Sequence, residues 1–428
     1  MSLKAEKVKK KNPELRFPGF EGEWEEKRLE EVYSFQATNS LSRDKLNYFS
    51  GQIKNIHYGD IHTKFRSHFD TTKEVIPFIN SDQEPKYSKS DFIECGDLVL
   101  ADASEDYADI GKGIEVCNVD GQKVVSGLHT LLLKAKSNGV ALGFMGHLIK
   151  SPNFRLSIKR VAQGTKVLGI SKQYIQKLEF QLPQKAEQQK IAAFLTAVDE
   201  WIENLKAQKG KWEEYKKGLL QKIFSQEIRF KDEDGNEFPD WEEKRLGEVA
   251  DVKHGYAFKS ESYVDDGEYS IVTISNVQNG RLAMGQTSSI NVLPKDMRKH
   301  QSLLVGDMLI SMTGNVGRVC IVDQEGCLLN QRVGKIVVEK NIANDQFVFQ
   351  KLNSQKFEYR MRSLAQGGAQ GNISNDDIRG FILPLPSMKE QQKIAAILTT
   401  VDEMIHSHQE RIVRAEEWKK GLMQRMFV

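Results

Sequence analysis

The sequence predicts an α+β protein in which two mixed α/β domains are separated by a long antiparallel two-helix coiled coil, the halves related by a pseudo-twofold internal duplication. Three observations predict it. The segment "EQQKIAAFLTAVDE" at Glu187 returns as "EQQKIAAILTTVDE" at Glu390, 203 positions later, with only Phe194/Ile397 and Ala197/Thr400 differing. Shorter echoes surround it: "WEEKRLEEV" at Trp24 and "WEEKRLGEV" at Trp241, "GDLVL" at Gly96 and "GDMLI" at Gly306, "AQGTKVLGIS" at Ala162 and "AQGGAQGNIS" at Ala365, "KKGLLQKIF" at Lys216 and "KKGLMQRMF" at Lys419. Their offsets of 217, 210, 203 and 203 confine insertions to the early part of each unit and keep the later part in register. Third, both repeated segments carry a long, narrow apolar seam.

In chain order this gives a globular domain over 1–184, a helical segment over 185–226, a second globular domain over 227–387 and a second helical segment over 388–428. The globular parts read as mixed α/β. Short β-branched runs at Asp97–Ala101, Lys123–Lys134, Tyr269–Ile274, Asp307–Ser311 and Val333–Glu339 are separated by Gly, Asn and Asp turn signals. Helical patterns are fewer, at Val140–Ser151 and Gln346–Leu364. The second long helix starts at a capping box, Ser387 with Glu390, after the breakers Pro384 and Pro386; Pro183 punctuates the first.

Along the first helical segment the apolar positions are Ile191, Leu195, Val198, Ile202, Leu205, Trp212, Leu219 and Ile223; along the second, Ile394, Leu398, Val401, Ile405, Ile412, Ala415, Leu422 and Met426. Steps of four and three make a heptad seam that calls for a partner helix. Each segment is about 60 Å long at 1.5 Å per residue, and the economical partner is the other copy. Lys216 and Lys419 interrupt the seams at equivalent positions, where they fix register or mark a splay. A seam does not require Glu187, Gln188, Lys190, Asp199 and Glu200 to match Glu390, Gln391, Lys393, Asp402 and Glu403. Their identity, beside globular parts that have drifted apart, predicts that both helix starts meet one kind of partner surface while the globular parts meet different ligands.

A chain of 428 residues exceeds a single core, and its 61 basic and 59 acidic residues leave a net charge of +2, so any nucleic-acid-binding surface has to be local. The longest apolar stretch, Gly139–Ile149, is too short to span a bilayer, and "MSLKAEKVKKKNPELRF" has no apolar leader core, from which a cytoplasmic chain is expected. Cys95, Cys117, Cys320 and Cys327 lack metal-ligand spacing and read as reduced, mostly buried thiols. His57, His62 and His68 read as solvated or base-contacting side chains, with no metal site. Neither a phosphate-binding GxxxxGK[ST] loop nor an Asn-Pro-Pro-aromatic methyltransferase motif occurs, and "PDWEEK" at Pro239 sets its acids too close for a nuclease. No catalytic residue is assigned.

The two EQQKIAA helices, the two KKGL(L/M)Q(K/R)(I/M)F endings and the paired WEEKRL starts resemble the specificity subunit of type I restriction-modification enzymes, over essentially the whole chain. The resemblance implies a non-catalytic subunit with two target-recognition domains, each reading one half of an asymmetric bipartite site on double-stranded DNA, in defence against foreign DNA. It also implies partners: two modification (methyltransferase) subunits that methylate adenine using S-adenosylmethionine, and restriction/translocase subunits using ATP and Mg. No cofactor is expected in this chain itself. Basic, amide and aromatic side chains at turns are the expected DNA contacts. In the first domain these are Tyr58, His62, Lys64, Arg66, Lys112, Gln163, Thr165 and Lys166; in the second, Lys253, His254, Tyr256, Phe258, Lys259, Asn276, Asn279, Arg281, Asn315, Arg318, Gln366, Gln370 and Asn372. A scaffold bridging two copies of a protein, without DNA, is the alternative; its binding would not depend steeply on salt.

Overall fold

A computed structural model describes residues 12–83, 86–136, 139–285, 287–366 and 371–428. The chain forms two compact units, one containing residues up to Ala207 together with Glu410–Val428, the other Gln208–Gln409. In the first unit a sheet runs in the order 33–36, 130–135, 98–101, 113–118, 68–70, beside a second sheet ordered 124–126, 54–56, 78–79, 46–47. The second unit repeats the plan with 250–254, 333–338, 308–311, 319–321 and, beside it, 289–290, 269–272, 327–329. In each, one parallel pair recurs in the smaller sheet: 124–126 with 54–56, and 327–329 with 269–272. The two halves therefore share a topology although their sequences diverge.

Several local expectations are refined. Lys123–Lys134 is not one strand but two, Val124–Ser126 and Thr130–Ala135. They part at Gly127, where a Cβ would lie 2.3 Å from the Asn55 amide, and at His129, whose φ of 54° is left-handed. The Val140–Ser151 pattern contracts to Phe144–Leu148, because Gly143 at φ 86° precedes it. Gln346–Leu364 divides into Asp345–Leu352 and Gln355–Gln366, the second started by Ser354, whose Oγ accepts from Phe357 N at 3.4 Å.

The long helices span Lys185–Phe224 and Met388–Met426. Within the first unit the start of the first helix lies against the end of the second: Ile191, Leu195, Val198, Ile202 and Leu205 share one buried cluster with Ile412, Ala415, Leu422 and Met426. Lys206 pairs with Glu416 at 3.0 Å, and Asp199, one helical stretch earlier, with Lys419, so the helices run antiparallel there. In the second unit the roles exchange, with Ile394 and Leu398 clustered with Ile223 and Leu219. Trp212, Leu219 and Ile405 are only half-buried, and Val401 is buried. The interrupting lysines set register rather than splay the pair: Lys216 bonds Asp402 at 2.6 Å, and Lys419 makes the equivalent bond to Asp199.

One sequence expectation is overturned at the helix starts. Glu187, Gln188, Glu390 and Gln391 are at most 2% exposed and cannot present themselves to a partner subunit. They staple each helix to its own unit. The Glu187 carboxylate accepts from Arg16 Nε and Nη2 at 2.7 and 2.8 Å, and Glu390 from Arg229 Nε and Nη2 at 2.9 and 3.2 Å. Gln188 accepts from Ala141 N and donates to Pro183 O, both 2.7 Å; Gln391 accepts from Asn344 N and donates to Pro386 O, both 2.8 Å. Asp199 and Asp402 are likewise engaged within the chain, and Lys393 Nζ donates to Lys231 O at 2.7 Å. Lys190, Glu200 and Glu403 remain exposed. The expected capping box is half formed: Ser387 Oγ takes Glu390 N at 3.5 Å, but the Glu390 carboxylate is spent on Arg229 and Trp241 Nε1 rather than on the cap.

Leu15 N donates to Arg425 O at 2.9 Å, and Ile228 N to Lys222 O at 3.1 Å, the carbonyl 203 positions earlier. The segment at Leu15 thus follows the end of the second helix as the segment at Ile228 follows the first. Gln226, at φ 61°, makes the turn in the continuous copy. A permutant joining Val428 to Glu14 through one glycine, which tolerates that φ, and opened between Ser225 and Gln226 is expected to fold with an unchanged circular-dichroism spectrum and a Tm within about 5 °C of the parent. A molten or insoluble product would refute the equivalence.

Candidate nucleic-acid interface

In the first unit the short helix Tyr58–Thr63 is capped by His57, whose Nδ1 accepts from Gly59 N at 3.2 Å. Burial, with Arg43 beside it, pushes His57 down to about 4, so it is neutral and structural rather than solvated. Tyr58 gathers three imidazoles, its ring centroid lying 4.7 Å from His57, 5.8 Å from His62 and 5.3 Å from His129. His62 braces this patch instead of facing outward: Nε2 meets Ala103 O at 2.9 Å, and Lys112 Nζ donates to the His62 carbonyl at 3.2 Å. The strand at Ala103–Ser104 pairs with Leu168–Gly169, and Gly169 bridges Gln163, which brings exposed Gln163, Thr165 and Lys166 to the same edge. Lys64, exposed, sits 5.0 Å from the Tyr48 ring centroid and 2.9 Å from its hydroxyl. Arg66 departs from the group, reaching Glu203 of the first long helix at 3.7 Å.

Sequence reasoning missed Arg43, Tyr48, Phe49 and His129 in this patch. Arg43 donates to Asp60 at 2.8 Å and to the Tyr48 hydroxyl at 3.1 Å, and Asp60 also pairs with Lys64 at 2.9 Å. One buried carboxylate thereby orients two cations that remain partly in water. The available signal was the run "NYFSG", an Asn and a Gly bracketing two aromatics outside any strand periodicity.

In the second unit Asn276 is 3% exposed and is removed from the candidates: its amide is consumed by Thr273 N, Ala283 O and Thr287 Oγ1, which makes it a loop brace. Arg318 is held by Gln278 at 2.9 Å and lies 3.7 Å from Glu358, which also accepts from Asn279 at 3.1 Å. Phe258 is half-buried against Ile271, Ile290 and Leu328 and meets Tyr256 edge-on at 5.0 Å between ring centroids, while the Tyr256 hydroxyl donates to Asp296 at 2.7 Å. Lys253 pairs with Asp251 at 2.5 Å, and His254 Nε2 meets Asn375 Nδ2 at 2.9 Å. Lys259, Arg281, Asn315, Gln366 and Asn372 are exposed, Asn372 bridging Thr313; Gln370 lies outside the described residues. These positions form a looser set than in the first unit.

All four cysteines are free; Cys320 and Cys327 are buried, whereas Cys117 is half-buried and Cys95 exposed, so the expectation of mostly buried thiols holds for the second unit alone. Among the described residues His68, His147 and Asp199 bring ligand atoms within 4.8 Å of one another. His68 is therefore a packed residue, its ring centroid 4.1 Å from that of His147, not a solvated one. The second unit explains the cluster: Gln350, 203 positions after His147, donates to Asp402 at 2.6 Å. His147 is placed alike but bonds differently: its Nδ1 lies 3.9 Å from Asp199, and its Nε2 meets Thr196 Oγ1 at 3.2 Å.

The family model described as "Type I restriction modification DNA specificity domain" matches residues 21–211 and again 239–417. The chain belongs to this family. The duplication read from the sequence is thus two copies of the specificity domain. A putative type I restriction enzyme specificity subunit of Methanocaldococcus jannaschii, MjaX, is 26% identical over 419 residues, covering 94% of this chain and 92% of that protein. The MjaVIII specificity subunit of the same organism is 27% identical over 281 residues, covering 62% of this chain and 65% of that protein. The crystal structure of a type I restriction-modification S subunit from M. genitalium superposes with a TM-score of 0.59 at 16% identity, covering 97% of this chain and 99% of that one. A chain solved in work on complex assembly and conformational transition of the type I R-M system gives 0.54 at 18% identity, covering 96% and 98%. These likenesses establish the fold of a specificity subunit. Among its described residues no helix is long and apolar enough to cross a membrane.

Proposed function

We propose that this specificity subunit selects DNA for its complex without catalysing a step itself, each globular part reading one half of an asymmetric bipartite site. The observation that carries the reading is one topology built twice with different exposed side chains: an aromatic and basic patch around Tyr58 in the first unit, a dispersed amide and basic set in the second. Two unlike readers suit two unlike half-sites, and helices of matched length joining them would turn that length into a spacing rule on the duplex. Methyl transfer and ATP-driven translocation would be supplied by modification and restriction subunits, with their S-adenosylmethionine, ATP and Mg.

Docking of two modification subunits is supported by matched apolar side chains left in water on the long helices. Trp201 and Trp418 are 44% and 48% exposed, and with Phe194, Ala197 and Val198 they line an open hollow of about 390 Å³. Their equivalents by the 203-residue offset, Met404, Tyr215 and Ile397, are 45%, 55% and 38% exposed. An apolar patch repeated on both units, beside exposed Glu200 and Glu403, suits one partner bound twice. This moves the partner surface off Glu187 and Gln188 onto the outward faces of the same helices.

The complex with its modification subunit is expected to protect one bipartite sequence in a footprint, with affinity falling steeply as salt rises because phosphate contacts release counterions. A complex that protects no preferred sequence, or binds independently of salt, would refute the reading.

A further inference from the structure

We infer that Phe49 is a wedge inserted between neighbouring base pairs of the DNA held by the first globular part; the inference rests on the proposed DNA-reading role. Phe49 is 94% exposed. Single apolar side chains in water are common and need no explanation; the setting of this one is different. Its loop tip is braced: Asn47 Oδ1 accepts from both Phe49 N and Ser50 N, at 2.9 and 3.0 Å, while Asn47 Nδ2 donates to Asn80 at 2.8 Å. Three residues earlier Leu46 is buried with Ile53, Ile79 and Val125. Two residues later Gly51 packs so closely that a Cβ would lie 2.6 Å from Phe78 Cβ. The loop therefore fixes where the phenyl ring is carried, so little ordering entropy remains to be lost on binding.

The company of the ring identifies its target. Tyr48, next in sequence, is 43% exposed and held by Arg43 and Lys64, whose side chains are 42% and 52% exposed. An apolar ring at a braced tip, one residue from a tyrosine that two cations hold, matches a base step with its flanking phosphates, since apolar wedges enter DNA between bases while Arg and Lys engage the backbone. A purely apolar protein contact would leave both cations without counter-charges beyond the Asp60 they already share.

The test uses the full chain with its modification subunits. Its bipartite site is first defined from the methylated adenines of a host expressing the complex, and 2-aminopurine is then placed at successive positions of each half-site and its flanks other than those adenines, which the methyltransferase itself extrudes. Binding is expected to raise 2-aminopurine fluorescence several-fold at one step of one half-site, through loss of base stacking. Phe49→Ala is expected to abolish that rise and weaken binding about 10-fold, and Phe49→Trp to retain it. Sequence-specific binding with no fluorescent step, or a rise that survives Phe49→Ala, overturns the wedge while leaving the DNA-reading role intact. Loss of modification-subunit assembly in Phe49→Ala, with the DNA signal preserved, makes Phe49 a protein contact and also overturns it. A wild-type complex that selects no site overturns both readings.

Discussion

Replacing Glu390 with alanine is expected to destabilise the second unit by about 3 kcal/mol. The carboxylate is fully buried and holds Arg229 through two bonds and Trp241 Nε1 through a third at 3.0 Å. Removing it strands a guanidinium and an indole N–H together. Arg229 is 25% exposed, so part of its charge recovers water and the loss falls at the lower end of that for breaking a buried pair. Glu390→Gln keeps the volume and an acceptor but not the charge, and should cost about half as much. In a urea titration of the full chain, followed by hydrogen exchange in peptides of each unit, the loss should appear in peptides of the second unit, with those of the first as internal reference. Arg229→Ala combined with Glu390→Ala should recover part of the loss, because no uncompensated cation remains. A shift of less than about 0.5 kcal/mol in Glu390→Ala would mean the staple is ornamental and the identity of the two EQQ segments has another origin.

The same pair of residues marks how far the sequence could be read. The long helices were legible because the seam from Ile191 to Ile223 and from Ile394 to Met426 is a periodic signal, and burial of most of those positions is what such a signal encodes. The duplication was legible because the offset is constant at 203 across the later part of each unit. Tertiary pairing was not. Glu187 and Gln188 look like surface residues by type, yet their partners are Arg16 and the backbone of Ala141 and Pro183, which no local pattern connects to a helix start. Asn276 misled for the same reason: an amide in a turn looks like a base reader until Ala283 and Thr287 are seen to use it. In the candidate interface Tyr58, Lys64 and Lys112 were found from composition, whereas Arg43 and Phe49 arrive from a different strand connection. The bearing of Arg43 on the patch depends on Asp60, one buried acid between two cations.

A matched insertion of four residues after Lys206 and four after Gln409 is expected to change the DNA sequence selected while leaving each unit folded. Both points sit at the junction of the two units, within the long helices, and are 203 positions apart, so the duplication treats them alike. Contacts inside each unit are untouched: Asp199 keeps Lys419 and Lys206 keeps Glu416 on one side, and Lys216 keeps Asp402 on the other. Four residues add about 6 Å of helix and a rotation of about 40° beyond a full turn. At about 3.4 Å per base pair, the proposed role converts that length into a gap wider by one or two base pairs between unchanged half-sites. An insertion after Lys206 alone lengthens one helix of an antiparallel pair, and Asp199–Lys419 and Lys216–Asp402 cannot then both keep their registers; that variant should lose stability by about 1–2 kcal/mol relative to the matched one. Sequencing of methylated adenines in hosts expressing each variant reads the gap directly. Methylation at the original spacing by the matched variant would show that the helices join the two units without measuring the distance between the half-sites they read.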